Sequence, residues 1–462
     1  QHLGEVPMQI HPHIFREYDI RGIAGKDLDE TTYETVGKAV CAFMKGKLKK
    51  KTLVVGRDGR LTSKAYANAL IDGITSCGVN VIDIGEVPTG LLYFGLFTLP
   101  VDGGVMITAS HNPKEYNGMK VAVGHSTIHG KDIQKLRKIA EAGKFPKGEG
   151  PVTITRTEIV TKYLKRVKSD IKLKRKLKVV VDGGNGTGGP VGVPLYKSLG
   201  CEVIPLYCDV DGTFPNHHPD PTVPENLKDL IAKVKRTKAD LGIGYDGDTD
   251  RIGAVDEKGN VIYGDQLLIL FARAVLKAKP KATIIGEVKS SRTLYEDIAK
   301  HGGKPVMWKT GHSLIKDAMK KFKSELAGEM SGHMFFKHRW YGFDDAIYAG
   351  ARLLEIVAAS KKPLSEHFAD VPKMYNTPEL RIDTTEAKKF DIVKKATDYF
   401  KNDLKLNVNA IDGARIEFDD GWGLVRASNT SPVLVMRCEA ETPQRLQEIR
   451  NLIENKIREL NK

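Results

Sequence analysis

Three times along this chain an apolar run, a helix-like stretch, a glycine and a second apolar run follow one another. The first set is Leu53-Val54-Val55-Gly56, the stretch from Lys64 to Ser76, then Gly78 and the run from Val79 to Gly85. The second is Val179-Val180-Val181-Asp182, a glycine-rich turn, Val191 to Ser198, Gly200, and Glu202 to Leu206. The third is Thr283-Ile284-Ile285-Gly286, Arg292 to Lys300, Gly302-Gly303, and Pro305-Val306-Met307. Each reads as strand, helix, glycine stop, strand, and a fold that repeats this unit is economically three αβ domains in series. A polar loop follows each second strand: Glu86 to Thr89, Asp209 to Pro215, and Lys309 to His312. In sheets of this kind ligand loops gather at strand ends.

The remainder of the chain changes character. Beyond Pro372 and Pro378 come a helix-like stretch from Glu386 to Leu404, strand-like runs at Ile411 to Glu417, Gly421 to Arg426 and Val433 to Cys438, and an amphipathic helix from Pro443 to Leu460. This predicts an α+β tail domain joined through a proline-containing linker that permits hinge motion. A length of 462 residues agrees, because one hydrophobic core rarely organises so long a chain.

Hydrophobic residues make up 41% and charged residues 28%, as in globular proteins, and no low-complexity tract appears. The longest apolar stretch, Leu91 to Val101, is interrupted by Gly95, Thr98 and Pro100 and falls short of the roughly 20 residues of a membrane span. The first residues lack the charged head and apolar core of a secretory signal, and Met8 reads as the natural start after an expression remnant. Five cysteines without metal-like spacing cannot form a complete disulfide set, so a reducing cytoplasm is expected. The net charge of +14 raises the question of nucleic acid. The lysine-rich stretches Lys45 to Lys51 and Lys165 to Lys178 have no interleaved stacking aromatics, and the expected partners are small phosphorylated anions instead.

Four loops carry candidate chemistry. After the buried-looking run Gly104 to Ile107, Thr108-Ala109-Ser110-His111-Asn112-Pro113 turns sharply and leads to Asn117-Gly118-Met119-Lys120. Ser110 there is either a nucleophile held out of the core or a residue that satisfies turn backbone. The strand Ala239 to Gly244 runs into Tyr245-Asp246-Gly247-Asp248-Thr249-Asp250-Arg251, whose alternating carboxylates suit a hard divalent cation. An EF-hand is excluded by Arg251 at the sixth position, where the loop requires glycine, and by flanks that read as strands. Glu329-Met330-Ser331-Gly332-His333, if extended, sets Glu329, Ser331 and His333 on one face, fit to bind polyol hydroxyls and carry an imidazole. Arg426-Ala427-Ser428-Asn429-Thr430 offers a guanidinium, short polar side chains and turn amides as a phosphate cradle. Arg21, in a basic turn with Tyr18 and Asp19, either helps hold an anion or pairs with Asp19.

Together, in this order, the four loops resemble the α-D-phosphohexomutase superfamily and its bacterial phosphomannomutase/phosphoglucomutase branch over nearly the whole chain. One departure is Thr249, where the family's metal loop usually carries glycine or alanine. The resemblance implies three similar mixed-sheet αβ domains and a C-terminal α+β domain around a central cleft. Residues 1–156 would carry the phosphoserine loop, 157–260 the metal loop, 261–372 the sugar loop and 373–462 the phosphate loop.

It further implies that Ser110 is phosphorylated at rest and that Mg²⁺ is held by Ser110, Asp246, Asp248 and Asp250. Phosphoryl transfer between C1 and C6 of glucose and mannose phosphates would then pass through a 1,6-bisphosphosugar that turns end for end. His111 and Arg251 would stabilise charge, and Lys120 and His333, with Arg21 beside them, would act as acid and base, Lys120 having its pKa lowered by neighbouring cations. Arg426, Ser428, Asn429 and Thr430, with Tyr18, would grip the distal phosphate, while Glu329, Ser331, Lys289 and His312 would bind the sugar. Phosphoglucosamine mutase, a phosphatase and a catalytically silent sugar-phosphate binder are the rival readings. A cytoplasmic monomer that binds neither nucleic acid nor membrane is expected.

Overall fold

The computed structural model describes residues 10–462, so the reading of Met8 as the start lies outside the described residues. The chain forms two compact units. One comprises the residues through Ile262 together with Gly332–Ser365, the other Tyr263–Ser331 and Glu366–Lys462.

All three repeated units form, each with its two strands parallel. Thr52–Arg57, the helix Ser63–Ser76 and Asn80–Glu86 make the first. Lys178–Asp182, Gly189–Ser198 and Glu202–Leu206 make the second, and Thr283–Glu287, Arg292–Lys300 and Lys304–Trp308 the third. The glycine stops are conformational: Gly78, Gly200 and Gly302 have φ of 78°, 100° and 86°, a region that side chains other than glycine occupy at a cost.

In the first unit the leading sheet is mixed. Ile20–Ile23, Tyr116–Val123 and Gly103–Ile107 run antiparallel, and the last continues parallel into Thr52–Arg57, Asn80–Glu86 and Ile154–Arg156. Its helix Glu30–Phe43 starts at a reciprocal cap, with Asp29 accepting from the Thr32 N–H at 2.9 Å and Thr32 Oγ1 accepting from the Asp29 N–H at 3.1 Å. The second sheet is mixed in the same way, in the order Val261–Ile262, Ile252–Asp256, Leu241–Tyr245, Lys178–Asp182, Glu202–Leu206. Its central strands are buried on both faces, which explains their continuous apolar reading.

In the second unit Lys304–Trp308, Thr283–Glu287 and Leu326–Gly328 are parallel neighbours. The tail domain is an antiparallel sheet in which Asn407–Asn409, Ala414–Phe418, Gly421–Ala427 and Val433–Ala440 are successive neighbours. The helices Lys389–Asp398 and Pro443–Leu460 bury Ile392, Ala396, Ile449, Ile453 and Ile457 in its core. The proline-containing segment is not a free linker. Tyr375–Asn376 and Leu380–Asp383 both pair with Val433–Ala440 on the side away from Gly421–Ala427, satisfying backbone groups that would otherwise form an open sheet edge. No helix among the described residues is long and apolar enough to cross a membrane.

Candidate active site

Ser110 follows the strand Gly103–Ile107 at the turn before Tyr116–Val123, and its backbone is left-handed, with φ of 52°. Such a conformation costs a non-glycine residue roughly 1–2 kcal/mol. The turn is held from outside by Arg60, a residue the sequence reading missed. Its guanidinium donates to the carbonyls of Pro113 (2.7 Å), Tyr116 (3.1 Å), Ser110 (3.2 Å) and Asn112 (2.7 Å), while Nε binds Asp58 at 3.2 Å. All five guanidinium N–H groups are thereby used. Within the turn, Thr108 Oγ1 accepts from the Ser110 N–H at 2.9 Å.

Ser110 Oγ donates to Asp246 Oδ2 at 3.0 Å, and His111 Nδ1 lies 3.3 Å from the same hydroxyl. Asp246, Asp248 and Asp250 sit on the hairpin between Leu241–Tyr245 and Ile252–Asp256, all three fully buried, with one oxygen from each lying within 4.8 Å of the others. The flanking strands confirm the exclusion of an EF-hand. Asp246 Oδ1 is occupied by the N–H groups of Asp250 (3.0 Å) and Arg251 (3.1 Å). The Oδ1 atoms of Asp248 and Asp250 are buried without a hydrogen-bond partner. Burial and the charges of Asp250 and Asp248 push the Asp246 carboxyl well above its ordinary pKa. Three hard oxygen donors with two uncommitted atoms and mutual repulsion fit a divalent cation.

Thr249 takes the left-handed turn position, with φ of 63°, and its hydroxyl lies 3.1 Å from Thr187 Oγ1. Thr89, from the polar loop after the first repeat, donates from its hydroxyl to Asp248 Oδ2 at 2.6 Å.

Lys120 enters from Tyr116–Val123 and donates to Asp248 Oδ2 at 3.1 Å and Asp250 Oδ2 at 2.6 Å. Burial works against its charge, but the Asp248 and Asp250 carboxylates outweigh it and raise the Lys120 pKa well above its ordinary value. The expectation that neighbouring cations lower it is therefore corrected: the groups in contact are carboxylates, whereas Arg21 binds Asn112 Oδ1 at 2.7 Å and also pairs with Asp19. Burial, together with Arg251 and Arg21, drives His111 well below its ordinary pKa, so it is a neutral hydrogen-bonding group at neutral pH rather than a positive charge. Arg251 Nε donates to His333 Nε2 at 3.1 Å, which leaves Nδ1 to donate to the buried Asp344 at 2.9 Å.

The residues Glu329 to His333 do not form one extended face. They are a turn, with Gly332 at φ of 94° and its carbonyl accepting from the Ile252 N–H at 3.1 Å; a Cβ on Gly332 would stand 2.4 Å from the Ile252 carbonyl oxygen. His333 consequently belongs to the first unit, and Glu329 and Ser331 to the second.

Within the second unit the organising group is Glu287, fully buried and also missed by the sequence reading. It accepts from the Lys289 N–H (2.7 Å), the Met330 N–H (3.0 Å) and the Thr310 hydroxyl (3.0 Å), tying three loops together. Glu329 Oε2 accepts from the Gly311 N–H at 2.9 Å, next to the buried His312. Asp412 accepts from the Thr310 N–H at 3.0 Å and from Arg426 Nε at 3.2 Å, which joins the phosphate-loop arginine to the same assembly. Lys289 Nζ lies 3.6 Å from Glu379. Ser428 Oγ accepts from the N–H groups of Thr430 and Ser431, both at 3.2 Å, closing the loop that carries Asn429. Ser110, His111, Lys120, Arg21, Arg251, His333 and the three aspartates thus fall in the first unit with Tyr18, and all the other sugar- and phosphate-binding candidates in the second. The acidic partners Glu287 and Asp412 followed no motif; each is visible only as a lone carboxylate beside a strand end.

Sequence models of phosphoglucomutase/phosphomannomutase α/β/α domains I, II and III match residues 12–147, 160–259 and 263–375, and that of the C-terminal domain matches 379–456. A phosphomannomutase/phosphoglucomutase of Pseudomonas putida is 48% identical over 455 residues, covering 98% of this chain and 97% of the relative. A phosphoglucomutase of Neisseria meningitidis is 47% identical over 439 residues, 95% of each chain. The crystal structure of a phosphoglucomutase/phosphomannomutase family protein from Burkholderia thailandensis superposes with a TM-score of 0.91 at 43% identity, covering 98% of both chains.

Proposed function

The chain belongs to the phosphoglucomutase/phosphomannomutase family, enzymes that move a phosphoryl group within a hexose phosphate, and we propose that it interconverts the 1- and 6-phosphates of both glucose and mannose with Ser110 as phosphoryl carrier. The observation that carries this reading is Ser110 itself: a hydroxyl held in a left-handed turn by Arg60 and 3.0 Å from the aspartate triad. A triad of histidine and acid around a serine would suit acyl transfer, whereas a serine facing three carboxylates suits phosphoryl transfer.

In this reading Asp246, Asp248, Asp250 and Ser110 hold Mg²⁺, which supplies positive charge against the charge that develops during transfer. Ser110 passes its phosphoryl group to the free hydroxyl of the sugar phosphate, giving a 1,6-bisphosphosugar. That intermediate turns over and returns its other phosphate to Ser110. Arg251 stabilises charge, and His111 offers a neutral hydrogen bond. His333 Nε2, an acceptor, takes the proton of the sugar hydroxyl, while Lys120, held charged by Asp248 and Asp250, supplies the proton to Ser110 on its release.

Arg426, Ser428, Asn429 and Thr430 grip the distal phosphate with Tyr18, and Glu329, Ser331, Lys289 and His312 hold the sugar. Hydroxyls distant from C2 then do most of the orienting, so the C2 epimers glucose and mannose both react. The relative from Pseudomonas putida is named for both activities, which supports this dual reading. Residues 1–156, 157–260, 261–372 and 373–462 are the proposed domains that carry the four loops.

The test is a coupled isomerisation assay with glucose, mannose and glucosamine 1-phosphates, with and without Mg²⁺ and catalytic 1,6-bisphosphate. Wild type should turn over the first two sugars, and Ser110→Ala neither. Negligible mannose turnover beside glucose refutes dual specificity. A preference for glucosamine phosphate, or release of inorganic phosphate in place of isomer, refutes the assignment of substrate or reaction.

A further inference from the structure

The helices Glu30–Phe43 and Ser63–Ser76 pack along a ridge that advances one turn at a time in both. Tyr33 stacks on Tyr66 with ring centroids 4.4 Å apart. Four residues on, a Cβ at Gly37 would stand 2.6 Å from the carbonyl oxygen of Leu70. After another four, the thiol of Cys41 lies 3.8 Å from the carbonyl oxygen of Ile74. That carbonyl also accepts the backbone N–H of Cys77 at 3.1 Å, so both cysteines converge on one oxygen at the end of the ridge. Gly73 keeps the helices close, since a Cβ there would stand 2.1 Å from the Glu34 carbonyl oxygen. Cys41, near the end of the first helix, and Cys77, which caps the second, thus come together at the end of this ridge.

We propose that Cys41 and Cys77 form a dithiol that a hydroperoxide oxidises to an intramolecular disulfide, reversible by thiol reductants. Cys77 is the attacking sulfur. It is the more exposed of the two, at 8% against 2%, and contact with Cys41 brings its pKa down to about 7 against the effect of burial, with Ser76 and Lys38 assisting. Its thiolate takes the terminal peroxide oxygen; the O–O bond breaks, Cys77 becomes a sulfenic acid, and hydroxide leaves and is protonated to water. Cys41, whose proton is held by Cys77 and by burial, then attacks the Cys77 sulfur. The S–O bond breaks, the S–S bond forms, and the hydroxyl departs with the Cys41 proton as a second water. Two thiols lose two electrons and one hydrogen peroxide becomes two waters.

The other cysteines lack this chemistry. Burial pushes Cys201 and Cys438 up to about 12 and Cys208 to about 11. The disulfide would fasten the helix whose first turn supports the serine loop, where Ser63 Oγ accepts from Asn117 at 3.0 Å.

The experiment treats the full chain with hydrogen peroxide, alkylates the remaining thiols and maps peptides without reduction. The expected product is a Cys41–Cys77 cross-linked peptide pair, two hydrogens lighter than its parts and absent after dithiothreitol, with Cys201, Cys208 and Cys438 alkylated in full. In Cys41→Ser, dimedone should capture a sulfenic acid at Cys77; in Cys77→Ser, Cys41 should stay unlabelled. Isomerase turnover of the unoxidised variants verifies that each is folded. Absence of the cross-linked pair, oxidation spread evenly over the five cysteines, or dimedone on Cys41 in Cys77→Ser overturns the proposal.

Discussion

Replacing Arg60 with methionine removes five hydrogen bonds and leaves the carboxylate of Asp58, itself only 2% exposed, without its cation. Breaking one partner from a buried ion pair costs about 3–5 kcal/mol. The Ser110 turn also pays roughly 1–2 kcal/mol for its left-handed residue and has lost four of the contacts that compel it. If the competent turn is disfavoured by only ~2 kcal/mol, the rate falls about 30-fold. Arg60→Met should therefore melt several degrees below wild type and lose about 30-fold or more in kcat. KM for the sugar phosphate should change much less, because Lys289 and Arg426 keep their own partners. Arg60→Lys, which keeps the charge but not the fork, should fall between the two. The assay is coupled isomerisation for kcat and KM, combined with mass spectrometry of Ser110 phosphorylation after incubation with glucose 1,6-bisphosphate. Wild-type kcat in Arg60→Met, or a loss confined to KM, would refute the claim that Arg60 positions the nucleophile.

Mg²⁺ should raise the melting temperature, by an amount equivalent to about 2.7 kcal/mol at a hundred times its Kd, and Asp248→Asn should abolish most of that rise in differential scanning calorimetry. Chelation with EDTA should remove turnover, and Mg²⁺ should restore it. His217 binds Asp182 at 2.8 Å; burial opposes its charge, but the Asp182 hydrogen bond and charge outweigh it and raise its pKa. Its stabilising contribution is thus complete below the unfolded value of about 6.5 and is lost as pH rises through the higher folded value. Thermal melts of His217→Gln should differ from wild type at about pH 6 and converge by about pH 9; a constant difference across that range argues against the pair. At Thr249, glycine relieves the left-handed backbone while losing the Thr187 contact, whereas alanine only loses it. Thr249→Gly should melt near wild type and Thr249→Ala lower by about 1 kcal/mol; the reverse order would contradict this account.

The repeats and the antiparallel tail sheet were legible because apolar period, glycine stops and turn residues act over a few neighbouring positions. The same holds for the serine turn and the aspartate hairpin, whose residues are adjacent in the chain. The sugar loop misled the reading: alternation in Glu329 to His333 suggested a strand, but Gly332 is pinned to Ile252, eighty residues away in sequence, and that contact makes a turn. The proline segment likewise pairs into a sheet whose edge forms much later in the chain.

Local sequence by itself determined the three repeated units, the serine turn and the aspartate hairpin, because those depend on short-range sterics and on the kinds of side chain present. Tertiary structure alone decided the state of that chemistry. Lys120 is charged because two aspartates from another domain's hairpin surround it, His111 is neutral because burial and two arginines oppose its proton, and Ser110 keeps its left-handed turn because Arg60 reaches five acceptors at once. Charge and strain are set by everything within a few ångströms in space, and that neighbourhood is assembled only when distant segments pack.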